Sequence, residues 1–560
     1  MQFIVYGCGA KAKAIISKNP EQVYGVMDLY KTGQIFCGKQ VLSDDEIVAS
    51  GIKTIVIAAR KANIPIIYRR IAKFLEENSI KALDDNFDSV SSNHHNDDEL
   101  CFQHNEVFTK EIKEKILSVD VVSFDVFDTV IGRRVLYSSD ISEAFNNEKM
   151  WVYPRKEIVN YYDYASEAGK KIVFCSDMYL TSNQISELLC DCGLHVSPNE
   201  VVVSCEHGVE KVDGLFDVLK SKVKTDSILH IGDSIEADYD APIRYGIPAV
   251  KIDNRLDVLE KSKWRKLLLF DTNPHNRRVL GELLASDLTI ADFISPLIYK
   301  FASWIKENSK ELDFVLLSSR DGWLLEVLRN EFSEYFYKGC YFLISRTAAV
   351  SASIYNKDDF DEAVNYNFSG DMKDLYEKRF AMDCVSEVSN VLINSKRLRH
   401  NYLRYIEQLN ISSDAKVGFV DLVAAGTCIK NLRRIAPFQL VGLNMACIEE
   451  FSLHNENDNF LFERSSGNNV LSKYFILEQF LSSDMPTLKH FDENGNPVYF
   501  AERRSQDNLK HKNEIQNSIV KYGKNTLDID FAEVSLALCD EILGMVELVP
   551  DIVEDEFCGR

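Results

Sequence analysis

Short apolar runs alternate with longer amphipathic stretches along most of this chain. MQFIVYG at the start, QVYGVMD ending in Asp28, and IKTIVIAA read as strands, with a helix after the first and another from Ile64 to Asn78. VVSFD, KKIVFCS and SILHIGD repeat the strand pattern between residues 121 and 233. From about Thr289 the alternation resumes: a helix IADFISPLIYKFASWIKEN, a strand in ELDFVLLSS, a strand KGCYFLIS ending at Ser345 and Arg346, and a strand DAKVGFVD ending at Asp421 with a loop from Leu422 to Thr427. Strands separated by helical segments predict parallel sheets and an α/β fold. The polar stretch DDNFDSVSSNHHNDDE reads as linker, and its His94 and His95 as solvated loop residues. The predicted organisation is a Rossmann-like domain over 1–88, a linker over 89–110, a second α/β domain over 111–270 and a third over 285–560.

The strongest chemistry sits where these strands end. A buried strand closing on Asp125 places a carboxylate at the carboxyl edge of a sheet, where open α/β folds bind ligands. KKIVFCS ends in Ser176, followed by Asp177. Lys211 precedes a helical pattern, and SILHIGD ends in Gly232 and Asp233, with Asp238 five positions on. The order strand–Asp, strand–Ser, Lys, strand–Gly–Asp resembles the haloacid dehalogenase (HAD) superfamily over roughly residues 115–260. The resemblance implies an α/β HAD domain with a small cap over 131–170 and a magnesium ion (Mg2+) as cofactor. It implies Asp125 as nucleophile, and Asp125, Asp233 and the Phe127 carbonyl as metal ligands. Ser176 and Lys211 would contact the phosphoryl group, and Asp238 would orient the site or ligate metal. Phosphatases of that superfamily place an acid two residues after the nucleophile; here that position is Phe127, and Asp128 follows it. Asp128 is a candidate proton donor or a turn cap. A short cap suits a large or polymeric substrate.

Charge narrows the partners. A formal net charge of −22 over 560 residues argues against a sequence-independent nucleic-acid surface. No apolar run reaches the ~18 residues of a membrane span, and thirteen scattered cysteines without framework spacing read as reduced thiols. The expected location is cytoplasmic, compatible with peripheral contact at the inner face of a bacterial membrane.

At the amino terminus, Gly7 and Gly9 open a helix after the first strand, and Asp28 closes the second. This outlines a βαβ unit for a nucleotide, or a degenerate Rossmann domain used for packing. Lys11 and Lys13 are phosphate candidates or plain surface residues. The region resembles small Rossmann-like domains of bacterial polysaccharide-biosynthesis enzymes.

In the last domain, VDLVAAGT resembles a phosphoribosyltransferase signature, with Asp421 for the ribose hydroxyls and Gly426 and Thr427 for a phosphate. Val420 stands where a first acid is usual, and Ala424 and Ala425 replace hydroxylic residues. SSRDG resembles the pyrophosphate loop of that fold, implying Ser319, Arg320, Asp321 and Gly322 as diphosphate contacts, with Arg346 a further cation. Glu478 and Asp484 are candidates for activating an acceptor hydroxyl, and Asn494–Gly495 reads as a hairpin turn. The whole layout resembles bacterial polysaccharide-locus proteins that incorporate ribofuranose. It implies a bifunctional enzyme that moves 5-phosphoribosyl from phosphoribosyl pyrophosphate to a glycan acceptor, free or lipid-linked, and then removes the 5-phosphate. A HAD phosphohydrolase with non-catalytic flanking domains and a scaffold of degenerate domains are the alternatives.

Overall fold

The computed structural model describes residues 2–28, 32–59, 64–87, 89–90, 106–141, 144–319, 321–332, 337–366, 370–447, 453–462, 468–502 and 504–548. Within them lie three mostly parallel sheets flanked by helices, as the alternating pattern predicts for an α/β protein. The chain divides into two compact units, one holding Met1–His94 and Leu297–Gly523, the other His95–Pro296 and Lys524–Leu548. This departs from the expected third domain over 285–560, because Lys524–Leu548 returns to the central unit. Arg278 donates to the Asn525 carbonyl at 2.8 Å and to Asp528 at 3.1 Å, and the Ser535 amide donates to Asn276 at 2.9 Å.

The amino-terminal sheet contains β1 (Phe3–Tyr6), β2 (Val23–Met27), β3 (Ile35–Phe36), β4 (Lys39–Leu42), β5 (Thr54–Ile57), β6 (Lys81–Leu83) and β7 (Ser89–Val90), ordered β3-β4-β2-β1-β5-β6-β7. β1 is parallel to both β2 and β5, so the point where the strand order reverses lies at its carboxyl end, beside Gly7. Gly7 has φ +104°, a conformation glycine adopts without steric cost, and its amide donates to the Met27 carbonyl.

The central sheet is all parallel. It orders β8 (Val121–Phe124), β11 (Lys171–Ser176), β12 (Val201–Val203), β13 (Ile228–Gly232) and β14 (Ala249–Lys251) as β12-β11-β8-β13-β14. β8 is buried throughout, as a strand covered by helices on both faces must be. Between β8 and β11 lies an antiparallel pair, β9 (Ile131–Arg133) and β10 (Val152–Pro154), with Gly132 opposite Tyr153. A Cβ on Gly132 would meet the Tyr153 ring at 2.6 Å, so the missing side chain is what lets the ring lie across β9.

The third sheet is also parallel, with β15 (Phe314–Ser318), β16 (Gly339–Phe342), β17 (Lys416–Ala424), β18 (Gln439–Cys447) and β19 (Asn459–Phe460) ordered β16-β15-β17-β18-β19. Its order reverses between β15 and β17. A hairpin of β20 (Leu488–Phe491) and β21 (Pro497–Tyr499) turns through Gly495 at φ +80°, as Asn494–Gly495 predicts.

Candidate active site

β8 lies between β11 and β13, and the Asp125 amide donates to the Ile231 carbonyl at 2.9 Å. The carboxylate therefore emerges at the carboxyl edge where the strand order reverses. The chain then turns sharply: the amides of Val130 and Ile131 both donate to the Val126 carbonyl, and Asp128 sits at φ +60° in the left-handed region that Asp tolerates better than most residues. Phe174 of β11 is level with Phe124 of β8, so Ser176 ends its strand just beyond Asp125. Gly232 ends β13 on the other side, delivering Asp233.

Lys211 joins the cluster. Its Nζ donates to Asp125 Oδ1 and to Asp238 Oδ1, each at 2.5 Å, and its amide donates to both oxygens of Asp177 at 3.0 and 3.2 Å. Burial works against the ammonium charge, but Asp125 and Asp238 outweigh it and hold Lys211 charged. Carboxylate oxygens of Asp125, Asp233 and Asp238 lie within 4.8 Å of one another, a grouping able to hold a metal ion. Burial pushes Asp125 up to about 8, opposed by Lys211 and aided by Asp238 and Asp233. Burial likewise pushes Asp233 up to about 6, against the hydrogen bond from Asn254. Asp238 moves the other way: burial is outweighed by Lys211 and His230, which hold it well below the usual carboxylate range. With all three carboxyls ionised, the cluster would carry an excess of two negative charges over the one ammonium, which a divalent cation would neutralise.

The three metal-ligand candidates differ in their bonding. Asp238 accepts from Lys211, from His230 at 3.1 Å and from the Ser234 amide at 3.0 Å. Asp233 accepts from Thr129 at 3.2 Å and Asn254 at 2.9 Å, which fix its rotamer. Hard oxygen donors suit magnesium better than softer metals.

The Phe127 ring is buried beneath the Arg133 guanidinium, 4.1 Å from the ring centre, so it supplies no acid. The Asp128 carboxylate accepts from Arg133 at 3.1 Å, and its side chain is 43% exposed. Arg155 donates to its carbonyl and anchors the turn.

Sequence reasoning missed Asn254, Thr129 and His230 as members of this site. His230 donates through Nε2 to Asp238 and, with Nδ1 2.9 Å from Ser123 Oγ, accepts from that hydroxyl. These partners are 107 residues apart, and only the pairing of β8 with β13 brings them together.

The third sheet gathers a looser set. β17 does not end at Asp421. It continues to Ala424, because β18 supplies partners as far as Cys447, and the apolar Leu422 and Val423 extend the strand. The expected phosphate loop from Leu422 to Thr427 is thereby reduced to a tight turn at Ala425 and Gly426, the latter at φ +84°. Asp421 stands in the ladder opposite Asn444, and burial pushes it up to about 6, with its bond from the Leu422 amide, His454 and Arg346 opposing. Arg346 begins a helix rather than ending a strand, with Ser345 as its cap. Its field reaches Asp421, Cys428 and Arg379.

Ser319 is bound to the segment after β16 at Ile344, its hydroxyl accepting from the Ile344 amide at 2.8 Å. A Cβ on Gly322 would lie 2.7 Å from the Ser318 carbonyl, so this helix start needs glycine. Arg320 lies outside the described residues. Asp484 is paired with Lys512 at 2.5 Å and with Asn513 at 3.0 Å, an arrangement that holds it ionised rather than poised to take a proton. Glu478 is buried within a helix and acts on Asp421 through its charge. In the amino-terminal sheet Gly9 caps the first helix, Asp28 follows β2, and Lys11 is bound to Asp85 at 2.5 Å, which removes it as a ready phosphate ligand.

No protein-family model matches the chain, and no curated protein matches it. Among the described residues no helix is long and apolar enough to cross a membrane.

Proposed function

We propose that the central unit is a magnesium-dependent phosphohydrolase of the haloacid dehalogenase type, acting on a phosphorylated sugar. The observation that carries this reading is Lys211 bridging Asp125 and Asp238 at 2.5 Å each, beside Asp233 and Ser176, at the edge where the sheet order reverses. Asp125 attacks phosphorus, forming an oxygen–phosphorus bond as the ester bond to the sugar breaks. The departing sugar oxygen takes a proton from Asp128. Water, losing a proton to Asp128, then attacks the aspartyl phosphate, releasing inorganic phosphate and restoring both Asp125 and Asp128. Lys211 and Ser176 stabilise the transferring group. Magnesium at Asp125, Asp233 and the Phe127 carbonyl would supply neutralisation of phosphoryl charge.

We further propose that the third sheet transfers 5-phosphoribosyl from phosphoribosyl pyrophosphate to a glycan acceptor, making the phosphorylated ribose that the central unit dephosphorylates. Asp421 and Arg346, in mutual electrostatic reach beside the crevice between β15 and β17, support it. The tight turn at Gly426 shifts phosphate recognition onto Arg346 and Arg379. Tethering the two steps raises the effective concentration of the intermediate.

The test is incubation with phosphoribosyl pyrophosphate, magnesium and a glycan acceptor. The acceptor should gain one pentose without phosphate; with Asp125→Asn the pentose should keep its phosphate, and with Asp421→Ala none should be added. Phosphate release that survives Asp125→Asn removes the phosphohydrolase assignment. Phosphate release from sugar phosphates without any change to the acceptor removes the transferase assignment.

A further inference from the structure

Beside the Asp125 cluster lies a cavity of about 370 Å³, within the ~300–1,000 Å³ range of small-molecule sites. Two of its wall residues, Asp128 and Asn254, also belong to the active site: Asp128 ends the turn after the nucleophile, and Asn254 donates to Asp233 at 2.9 Å. The cavity thus begins where the oxygen leaving phosphorus would depart.

Three arginines line it, which at first suggests a second anion. Their charge is already spent. Arg133 is paired with Asp128 at 3.1 Å and Glu148 at 2.9 Å, and Arg155 with Glu157 at 2.9 Å. Arg255 lies 3.4 Å from Glu157 and donates to the carbonyls of Leu284 and Ser286. Three guanidinium groups face three carboxylates, all six held in fixed geometry. A second phosphate would have to break charge-assisted bonds, all but the one to Asp128 between largely buried groups, to find a partner. What the cavity does offer is mixed. Val135, Leu136, Leu256 and Leu284 give apolar surface, and Ser138 and Ser139 put hydroxyls at an exposed rim. Alternating apolar and hydroxyl surface matches an uncharged sugar ring.

We infer that this cavity seats the neutral, polyhydroxylated sugar that carries the phosphate, and that its internally balanced arginines reject sugars with a second phosphate. The inference rests on the phosphohydrolase reading and sharpens it into a substrate class: monophosphorylated glycosides, not bisphosphates or nucleotide diphosphates.

The test is calorimetric binding to the full Asp125→Asn chain with magnesium, so that ligand is not consumed. The probes are inorganic phosphate, a methyl ribofuranoside 5-phosphate and ribose 1,5-bisphosphate. The methyl riboside phosphate should bind about tenfold or more tighter than phosphate, and the bisphosphate about tenfold weaker than the riboside. Ser139→Trp at the exposed rim and Leu256→Trp on the wall should each shrink the riboside advantage toward unity; two positions guard against one variant misfolding. Equal affinity for phosphate and riboside phosphate, tighter binding of the bisphosphate, or an advantage unchanged in both variants would overturn the inference. Failure of the phosphohydrolase reading is seen separately, as wild-type chain that binds with this preference yet releases no phosphate.

Discussion

Ser123 and His230 face each other in register across β8 and β13, with Ser123 Oγ 2.9 Å from His230 Nδ1. From there a line of bonds runs through Asp238 and Lys211 to Asp125. Every member is buried, so each depends on its neighbour for polar partners. Ser123→Ala leaves His230 Nδ1 without its donor and should cost about 1–3 kcal/mol in urea unfolding. On the proposed phosphohydrolase reading, Lys211→Met removes charge from the phosphoryl site and should lower phosphate release by about 10²–10³. A Ser123→Ala chain as inactive as Lys211→Met would contradict this division of roles.

Metal dependence gives a second expectation. Saturating magnesium at about a hundred times its Kd should raise stability by about 2.7 kcal/mol. Asp233→Asn should abolish most of that gain in thermal melts, and a chelator should stop phosphate release by the wild type. Stabilisation undiminished in Asp233→Asn would place the ion elsewhere.

In the proposed phosphohydrolase, Asp128 takes the proton-donor role of the acid missing at the Phe127 position, its side chain being 43% exposed. Asp128→Asn should lower kcat for a sugar phosphate by about 10²–10⁴. The loss should be much smaller for an aryl phosphate, whose leaving oxygen needs no proton. Equal losses on both substrates would assign Asp128 to the turn alone.

Asp458 sets an acid limit on the third sheet. It accepts from Arg433, from the Gly442 amide at 2.7 Å, from His454 at 3.1 Å and from the Asn455 amide at 3.1 Å. Burial opposes its ionisation, but the hydrogen bonds from His454 and Arg433 outweigh it and hold the carboxyl well below the usual range. A depressed folded value means the stabilisation is complete above the unfolded value of about 3.9 and is lost as pH falls below it. Asp458→Asn should therefore cost about 3 kcal/mol at pH 7 and flatten the fall in stability below about pH 4. A cost that is the same at pH 7 and pH 3 would show that the charge is not the cause.

Much of the central site was legible because strand ends announce it: Asp125, Ser176 and Asp233 each follow an apolar run, and their order carries the resemblance. Asn254 and His230 were not legible. Asn254 is occupied as a helix cap, its Oδ1 accepting from the Asp257 amide at 2.8 Å while Nδ2 reaches Asp233. β17 overran its predicted end for a related reason. Whether Leu422 and Val423 are strand or loop depends on β18, a partner that periodicity cannot supply. The helix cap at Ser345 was likewise hidden, because Ile344 and Arg346 fit a strand end equally well.

The bonds from Arg278 to Asn525 and Asp528 bear on how the molecule is made. The central unit is completed by residues that emerge from the ribosome more than two hundred positions after its sheet's last strand, Ala249–Lys251. During synthesis the helix Pro274–Ala285 has only part of its bonding at first: Arg278 reaches Glu282 and the Arg134 carbonyl, and Asn276 the Phe270 carbonyl, but the bonds to Asn525, Asp528 and Ser535 form only when Lys524–Leu548 arrives. That delay exposes apolar surface on a nascent chain, a setting in which chaperones matter. A fragment cut at Pro296 would carry the Asp125 cluster and still lack the segment that completes its unit.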